Sequence, residues 1–281
     1  MFADDVKIFN KVSNIDDARK LQGDLVEITN WCTINGLSLN INKCYVMSTT
    51  RKQSQNVGLF NYNISGTPLI RVNSFKDLGI IFDSKLTFEN HINNITSRAF
   101  RSLGFIARSL GRFNNIKTYS ILYNTYVRSI IEYCSPIWTP HYSIYIERLE
   151  KVQRRFTKRI YYNFKYPMEN YKMRLIRLDM ISLEDRRMMF DELSLFKIIN
   201  RSINTSLTQK INLNNPMRSM RRKNPFYLPF VTSNLEFYSM IIRIQRQHNE
   251  LFDSIPLSNV PLSTFRTRIL NNLFENRPIH Y

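Results

Sequence analysis

The sequence predicts an α+β protein: a small antiparallel sheet with one helix, followed by a mostly α-helical bundle. Three observations predict it. A capped, amphipathic segment occupies residues 14–36. Short strand-like runs separated by turn residues fill residues 57–82. Helix-period apolar positions dominate from Leu86 to Arg201.

The elements follow in order. Residues 1–13 read as a strand, a turn at Ala3–Asp5, and a short strand through Val6–Phe9. Asn14 is placed to cap a helix, with Asp16 and Asp17 favourable in its first turn. Ala18, Leu21, Leu25, Ile28 and Cys32 recur at three- and four-residue steps and form its apolar face, and Gly36 ends it. Leu37 to Met47 reads as strand around a turn at Asn42-Lys43. Val57–Ile64, Leu69–Val72 and Leu78–Phe82 read as strands, with Ser65-Gly66-Thr67-Pro68 turning between the first two. Helices are predicted over Phe88–Phe113, Ile116–Cys134, Ile144–Phe164 and Ser182–Arg201, punctuated by Pro136, Pro140 and Pro167. After Asn212 the chain becomes irregular, then helical again near Leu235–Glu250 and Leu262–Phe274. Three regions result: 1–83, 84–205 and a basic C-terminal region, 206–281, to which the sequence assigns no role.

Composition narrows the function classes. The chain has 281 residues, 43% hydrophobic and 22% charged, with 7 Gly and 10 Pro, which suits a folded body and excludes a low-complexity one. Lys plus Arg total 40 against 22 Asp plus Glu, a net charge of +18, which points to a polyanionic partner, nucleic acid foremost. The three cysteines, Cys32, Cys44 and Cys134, lack zinc-knuckle spacing and read as reduced thiols. The N-terminus has no signal pattern, and no apolar run approaches the ~20 residues of a membrane span. These features predict an intracellular protein, nuclear or cytoplasmic, without a membrane partner.

Two constellations carry chemistry. Asp4-Asp5 follows the apolar Met1-Phe2-Ala3. Paired carboxylates on a tight turn after a strand can hold Mg²⁺ for phosphoryl transfer, and the same pair is also an ordinary turn. Arg148, Lys151, Arg154, Arg155, Lys158 and Arg159 lie at helical steps on one broad face, with Leu149, Val152, Phe156 and Ile160 on the other. Such a helix can pack its apolar side and track phosphates with its cations; a plain solvated face and a membrane-surface helix are the rivals, the latter opposed by Glu147 and Glu150. A second basic cluster, Arg218, Arg221, Arg222 and Lys223, precedes Phe226 and Tyr227, a mix open to stacking on unpaired bases or to a plain basic tail. Trp31 and Trp138 read as core residues and His91 as structural.

Several segments carry a family resemblance when taken in order. Phe2-Ala3-Asp4-Asp5 is followed by Trp31-Cys32-Thr33-Ile34-Asn35-Gly36-Leu37-Ser38-Leu39-Asn40 and Asn42-Lys43-Cys44. Phe75-Lys76-Asp77-Leu78-Gly79-Ile80-Ile81-Phe82-Asp83 runs into Leu86-Thr87-Phe88 and His91-Ile92. Tyr126-Val127-Arg128-Ser129, Glu132-Tyr133, Ile137-Trp138 and Leu149–Phe156 come later. The ordered set resembles the reverse transcriptase of non-LTR retrotransposons (long interspersed elements), the jockey-like group most of all, over residues 1 to about 205.

The resemblance implies the last part of a polymerase palm over 1–83 and a helical thumb over 84–205. It implies that Asp4 and Asp5 are the catalytic, metal-binding aspartates, and that Phe2 and Ala3 lie beside the primer end. It implies that Lys43 sits near the triphosphate and that Leu78 and Gly79 belong to a primer-grip hairpin. Lys43 is also readable as a solvated turn lysine and Gly79 as a strand bulge. The implied partners are an RNA template, a DNA primer and the RNA–DNA duplex, and the implied cofactor is Mg²⁺ in the complete enzyme. The family's fingers and its first palm carboxylate are not represented in these 281 residues. The expectation is therefore a truncated RNA-directed DNA polymerase that retains template–primer binding, is inactive alone, and binds Mg²⁺ weakly or not at all. The alternative is a non-catalytic basic nucleic-acid-binding module derived from the thumb.

Overall fold

The structure is a computed structural model that describes residues 5–49, 60–109, 115–203, 205–214 and 224–275. The described residues are predominantly helical with three small two-stranded sheets, and the contacts divide the chain into two units, 1–90 and 91–281.

In the first unit, α1 (Ile15–Ile34) starts at a capping box. The Asp17 N–H donates to the Asn14 side chain at 2.8 Å, and the Asn14 N–H to the Asp17 carboxylate at 3.3 Å. Gly36, at φ +67°, closes the other end; the Leu37 N–H donates to the Cys32 carbonyl at 2.8 Å and the Gly36 N–H to Thr33 at 3.2 Å. Ala18 and Cys32 are buried and Leu21, Leu25 and Ile28 half-buried, as the periodicity predicts. Trp31 is 52% exposed, contrary to its reading as core. It lies about 100° around the helix from that apolar line, and no described segment covers it there.

The strands are shorter than their sequence signals. Val6–Phe9 forms no strand, and Leu37–Met47 is largely irregular, with a single 3₁₀ turn at Ile41–Lys43 before β1 (Tyr45–Val46). β2 (Asn63–Ile64) pairs antiparallel with β3 (Thr67–Pro68) across the Ser65-Gly66 turn, and β4 (Ile70–Arg71) runs parallel to β1. The Gln22 side chain ties α1 to β2 by accepting from the Asn63 N–H at 3.0 Å and donating to its carbonyl at 2.9 Å. β5 (Ser74–Asp77) and β6 (Ile80–Asp83) form the longest hairpin, with Phe75 stacked on Phe82. Asp83 then collects the N–H groups of Lys85, Thr87 and Phe88 at 2.7–3.1 Å and fixes the turn that leads into the next helix.

Among the described residues the regular structure of the second unit is helical apart from one isolated bridge between Leu213 and Phe226. Its helices are α2 (Glu89–Ser109), α3 (Ile116–Tyr123), α4 (Ser129–Glu132), α5 (Ser135–Trp138), α6 (Ser143–Asn163), α7 (Tyr171–Arg177), α8 (Leu183–Ile199), α9 (Asn234–Phe237), α10 (Met240–Leu251) and α11 (Leu262–Glu275). The expected single helix Ile116–Cys134 is instead α3, a wide π-type turn at Asn124–Arg128, and α4; Cys134 takes a left-handed φ of 51° and ends it. Asn170 caps α7 and Ser182 caps α8, the latter through a capping box with Asp185.

α8 is the hub. Leu195 and Ile198 pack with Ile241 and Ile244 of α10, while Met189 and Phe196 pack with Phe265 and Ile269 of α11. Residues 206–281 thus belong to the same unit as residues 91–205. Phe226 is buried and pinned by Asn249, whose side chain accepts from its N–H at 3.1 Å and donates to its carbonyl at 2.8 Å, so Phe226 is a core residue unable to stack on a base. Tyr227 is exposed, and the preceding cations 218–223 lie outside the described residues.

Candidate nucleic-acid interface

α6 is built as an anchored blade. Leu149, Val152, Phe156 and Ile160 are fully buried, as their spacing predicts. Tyr123 of α3 stacks on Phe156 at 3.9 Å, and the Tyr119 hydroxyl accepts from Asn163 at 2.9 Å, so α3 runs antiparallel along α6.

The anchor has a polar part that the sequence reading missed. Glu150, read as a mark against membrane binding, is buried. It accepts from the Leu183 N–H, the first of α8, at 3.1 and 3.2 Å, and from the Tyr171 hydroxyl. A carboxylate at that place meets the positive end of the α8 dipole. Desolvation nonetheless pushes its pKa above the usual glutamate value, against the hydrogen bonds of Tyr171 and Leu183. Gln153 joins α6 to α3, α7 and the segment before α8: its Oε1 accepts from Tyr123 at 3.0 Å, and its Nε2 donates to Tyr171 at 3.1 Å and to the Ile181 carbonyl at 2.9 Å. Such satisfied buried networks fix one arrangement of their helices.

The opposite side of α6 carries the cations. Lys151, Arg155, Lys158 and Arg159 are exposed. Arg148, half-buried, donates to the Asn93 side chain of α2 and sits over the Tyr145 ring. Arg154 stands apart from the other five: it makes a bidentate pair with Glu147 at 2.7 and 3.0 Å and lies over Tyr171. Its charge is already compensated and its position is the margin of the face. The next cation along, Arg155, lies over the Phe100 ring of α2.

Contacts at Asn93–Arg148 and Phe100–Arg155 are seven residues apart on both helices. α2 and α6 therefore run side by side in the same direction. At about 100° per residue, the buried arcs of both helices face inward and their exposed arcs open to one side. The exposed arc of α2 holds Arg98, Arg101 and Arg108, three cations that the sequence pattern alone did not single out. Their spacing of three and seven residues is the same signal that revealed α6; it was hidden by the low charge density of the segment around them.

The candidates of the first unit are dispersed. Phe2, Ala3 and Asp4 lie outside the described residues, and Asp5 is exposed. Lys43 is exposed at the end of the 3₁₀ turn, its N–H donating to the Asn40 carbonyl at 2.9 Å. Leu78 and Gly79 are not in a strand. They are the two-residue loop of the β5–β6 hairpin, with Asp77 paired to Ile80 and φ values of +43° and +91°. Positive φ at both loop positions matches the right-handed twist of the strands, which is why the chain turns there instead of extending. Among the described residues no group of three or more His, Cys, Asp or Glu side chains could hold a metal ion. Asp4 lies outside the described residues, and no chemical step rests on the Asp4-Asp5 pair. No described helix is long and apolar enough to cross a membrane.

Comparison with known proteins gives one distant similarity. The chain is 29% identical over 117 residues to an uncharacterised protein of Caenorhabditis elegans, B0403.1; the match covers 42% of this chain and 59% of that protein. No protein-family model matches the chain, and no solved structure does.

Proposed function

We propose that the chain is the late-palm and thumb portion of a non-LTR reverse transcriptase, and that its helical unit holds nucleic acid through α6. The observation that carries this reading is the exposed row Lys151, Arg155, Lys158 and Arg159 on a helix whose other side is wholly buried. Steps of three and four residues set these cations about 4.5–6 Å apart along the axis, a ladder suited to a phosphate backbone. The order of the sequence motifs supports the polymerase origin, and the β5–β6 hairpin with Leu78-Gly79 at its tip supports a primer-grip role. The 281-residue polypeptide on its own is proposed to bind template–primer without extending it, Mg²⁺ being the cofactor of the complete enzyme.

The test is binding of a labelled RNA–DNA hybrid across 50–200 mM salt. Neutralising four phosphate contacts gives a logarithmic slope of about −3 to −4, and Lys151→Glu with Lys158→Glu removes about two of those units. Affinity independent of salt would end the reading. Primer extension with RNA template, dNTPs and Mg²⁺ tests the inactivity: an Asp4-dependent product would overturn that part and leave the binding intact.

A further inference from the structure

We propose that the second unit carries a binding site for a terminal phosphate group, built by Arg128, Arg186 and Arg266 around Glu132. The chemistry it recognises is a dianionic phosphoryl group, free in solution or at the 5′ end of a nucleic-acid strand. The site uses none of the α6 cations and does not rest on the reading of that helix.

Segments distant in sequence meet here. Arg128 is the last residue of the π-type turn Asn124–Arg128, and Glu132 the last of α4. Arg186 comes from the first half of α8 and Arg266 from α11. Arg186 grips the Glu132 carboxylate as a fork, its Nε on Oε1 and its Nη2 on Oε2 at 2.9 Å, and the Nε of Arg128 reaches the same Oε1 at 3.5 Å. The Phe190 ring, one turn along α8, lies 5.5 Å from the Arg186 guanidinium and helps to hold it in place. Arg266 is exposed and close enough for its charge to act on Arg128.

The donors outnumber the acceptors. Glu132 engages one edge of Arg186 and only the Nε of Arg128. Among the described residues, Nη1 and Nη2 of Arg128 and Nη1 of Arg186 have no acceptor. The two side chains are 21% and 12% exposed, so water reaches them but screens them only in part. Burial holds the Arg128 pKa below the usual arginine value; the like charge of Arg186 pushes it further by more than Glu132 offsets, and Arg266 adds to the push. Other carboxylates are engaged elsewhere: Glu150, Glu184 and Asp191 act on the buried Arg187 ahead of Glu132, and Asp191 is also paired with Arg243.

This balance sets the class of ligand. Three guanidiniums against one carboxylate leave two positive charges. A terminal phosphate carries about −1.5 to −2 at neutral pH with three acceptor oxygens, whereas a carboxylate or a backbone phosphodiester carries a single charge. The unengaged edge of a guanidinium matches two phosphate oxygens at once. The half-buried setting of Arg128 and Arg186 suits a group at the end of a molecule better than a chain passing across it.

The experiment titrates the full chain with inorganic phosphate at constant ionic strength set by chloride, read by calorimetry and by Tm. Saturable binding and a rising Tm are expected. Arg266→Ala, an exposed substitution, should weaken binding about fivefold to tenfold, and Arg128→Lys, which keeps the charge and loses the fork, about tenfold. Glu132→Gln should tighten binding about tenfold, because the competing carboxylate is gone. A purely structural ion network gives no phosphate response in any of these proteins. Circular dichroism of each variant without phosphate checks folding. Absence of saturable binding, competition by chloride on equal terms, or an affinity unaltered by Arg266→Ala and Glu132→Gln would overturn the proposal. A 5′-phosphorylated single-stranded oligonucleotide, compared with its 5′-hydroxyl form, identifies the source. Tighter binding of the phosphorylated form that Arg266→Ala removes puts the group at a strand end. Equal binding of the two forms beside intact binding of inorganic phosphate makes it a free ligand, and either outcome upholds the site.

Discussion

Replacing Glu150 tests the buried network that holds the cation face in place. Glu150→Ala leaves the Tyr171 hydroxyl and the Leu183 N–H without their acceptor and removes one of the carboxylates whose charge acts on the buried Arg187. Each orphaned buried donor costs about 1–3 kcal/mol, and removing one partner of a buried charge set about 3–5 kcal/mol. The expected loss is therefore about 3–5 kcal/mol, enough to unfold a marginal domain. Glu150→Gln keeps one acceptor oxygen and removes the ion, so its loss at neutral pH should be only about 1 kcal/mol. The pH dependence separates charge from hydrogen bonding. Burial raises the folded-state pKa of Glu150 above its unfolded value, so the folded state holds the proton longer. The wild type then loses stability as pH rises from the unfolded value through the raised one, and the glutamine variant does not. The deficit of Glu150→Gln should be largest in acid and shrink as pH rises. Urea unfolding followed by circular dichroism at several pH values reads this directly. A deficit that grows with pH would refute the reasoning, because it would mean that the site stabilises the ion.

Further outcomes follow from other sites. His91, buried edge-on against Trp138, has its pKa lowered to about 4 by burial and then by Arg98. The stability this contributes is complete above pH 6.5 and is lost as pH falls toward 4; allowing for solvent screening it amounts to about 1–2 kcal/mol, and His91→Phe should abolish that part of the acid profile. Arg154→Ala should leave the salt slope of nucleic-acid binding unchanged, since Glu147 already neutralises Arg154, whereas Lys158→Ala should lower it by about one unit; equal effects would refute the distinction. Gly23 lies within α1, and a Cβ there would meet nothing within 4 Å, so Gly23→Ala should stabilise by about 0.5–1 kcal/mol in thermal melts. Asp83→Ala should destabilise by about 2 kcal/mol, as it releases the N–H groups of Thr87 and Phe88 that hold a turn with Leu86 and Phe88 at positive φ.

Features that depend on neighbours along the chain were legible in the sequence. The Asn14 cap, the Gly36 stop, the span of α6 and the burial of Leu149, Val152, Phe156 and Ile160 all follow from spacings of a few residues. Tertiary structure decided the rest. Glu150 has the local pattern of a solvated helix residue and became a buried cap because α7 and α8 arrive beside it. Phe226 looked like the aromatic partner of a basic tail and was drawn into the core by Asn249 and the apolar side of α10. Trp31, large and apolar, is exposed, its helix face meeting no other element among the described residues. Local periodicity says which side of a helix is apolar, but which surfaces meet depends on long-range packing. The alignment of α2 with α6, which brings two cation rows onto neighbouring helices, comes from contacts 55 residues apart in sequence.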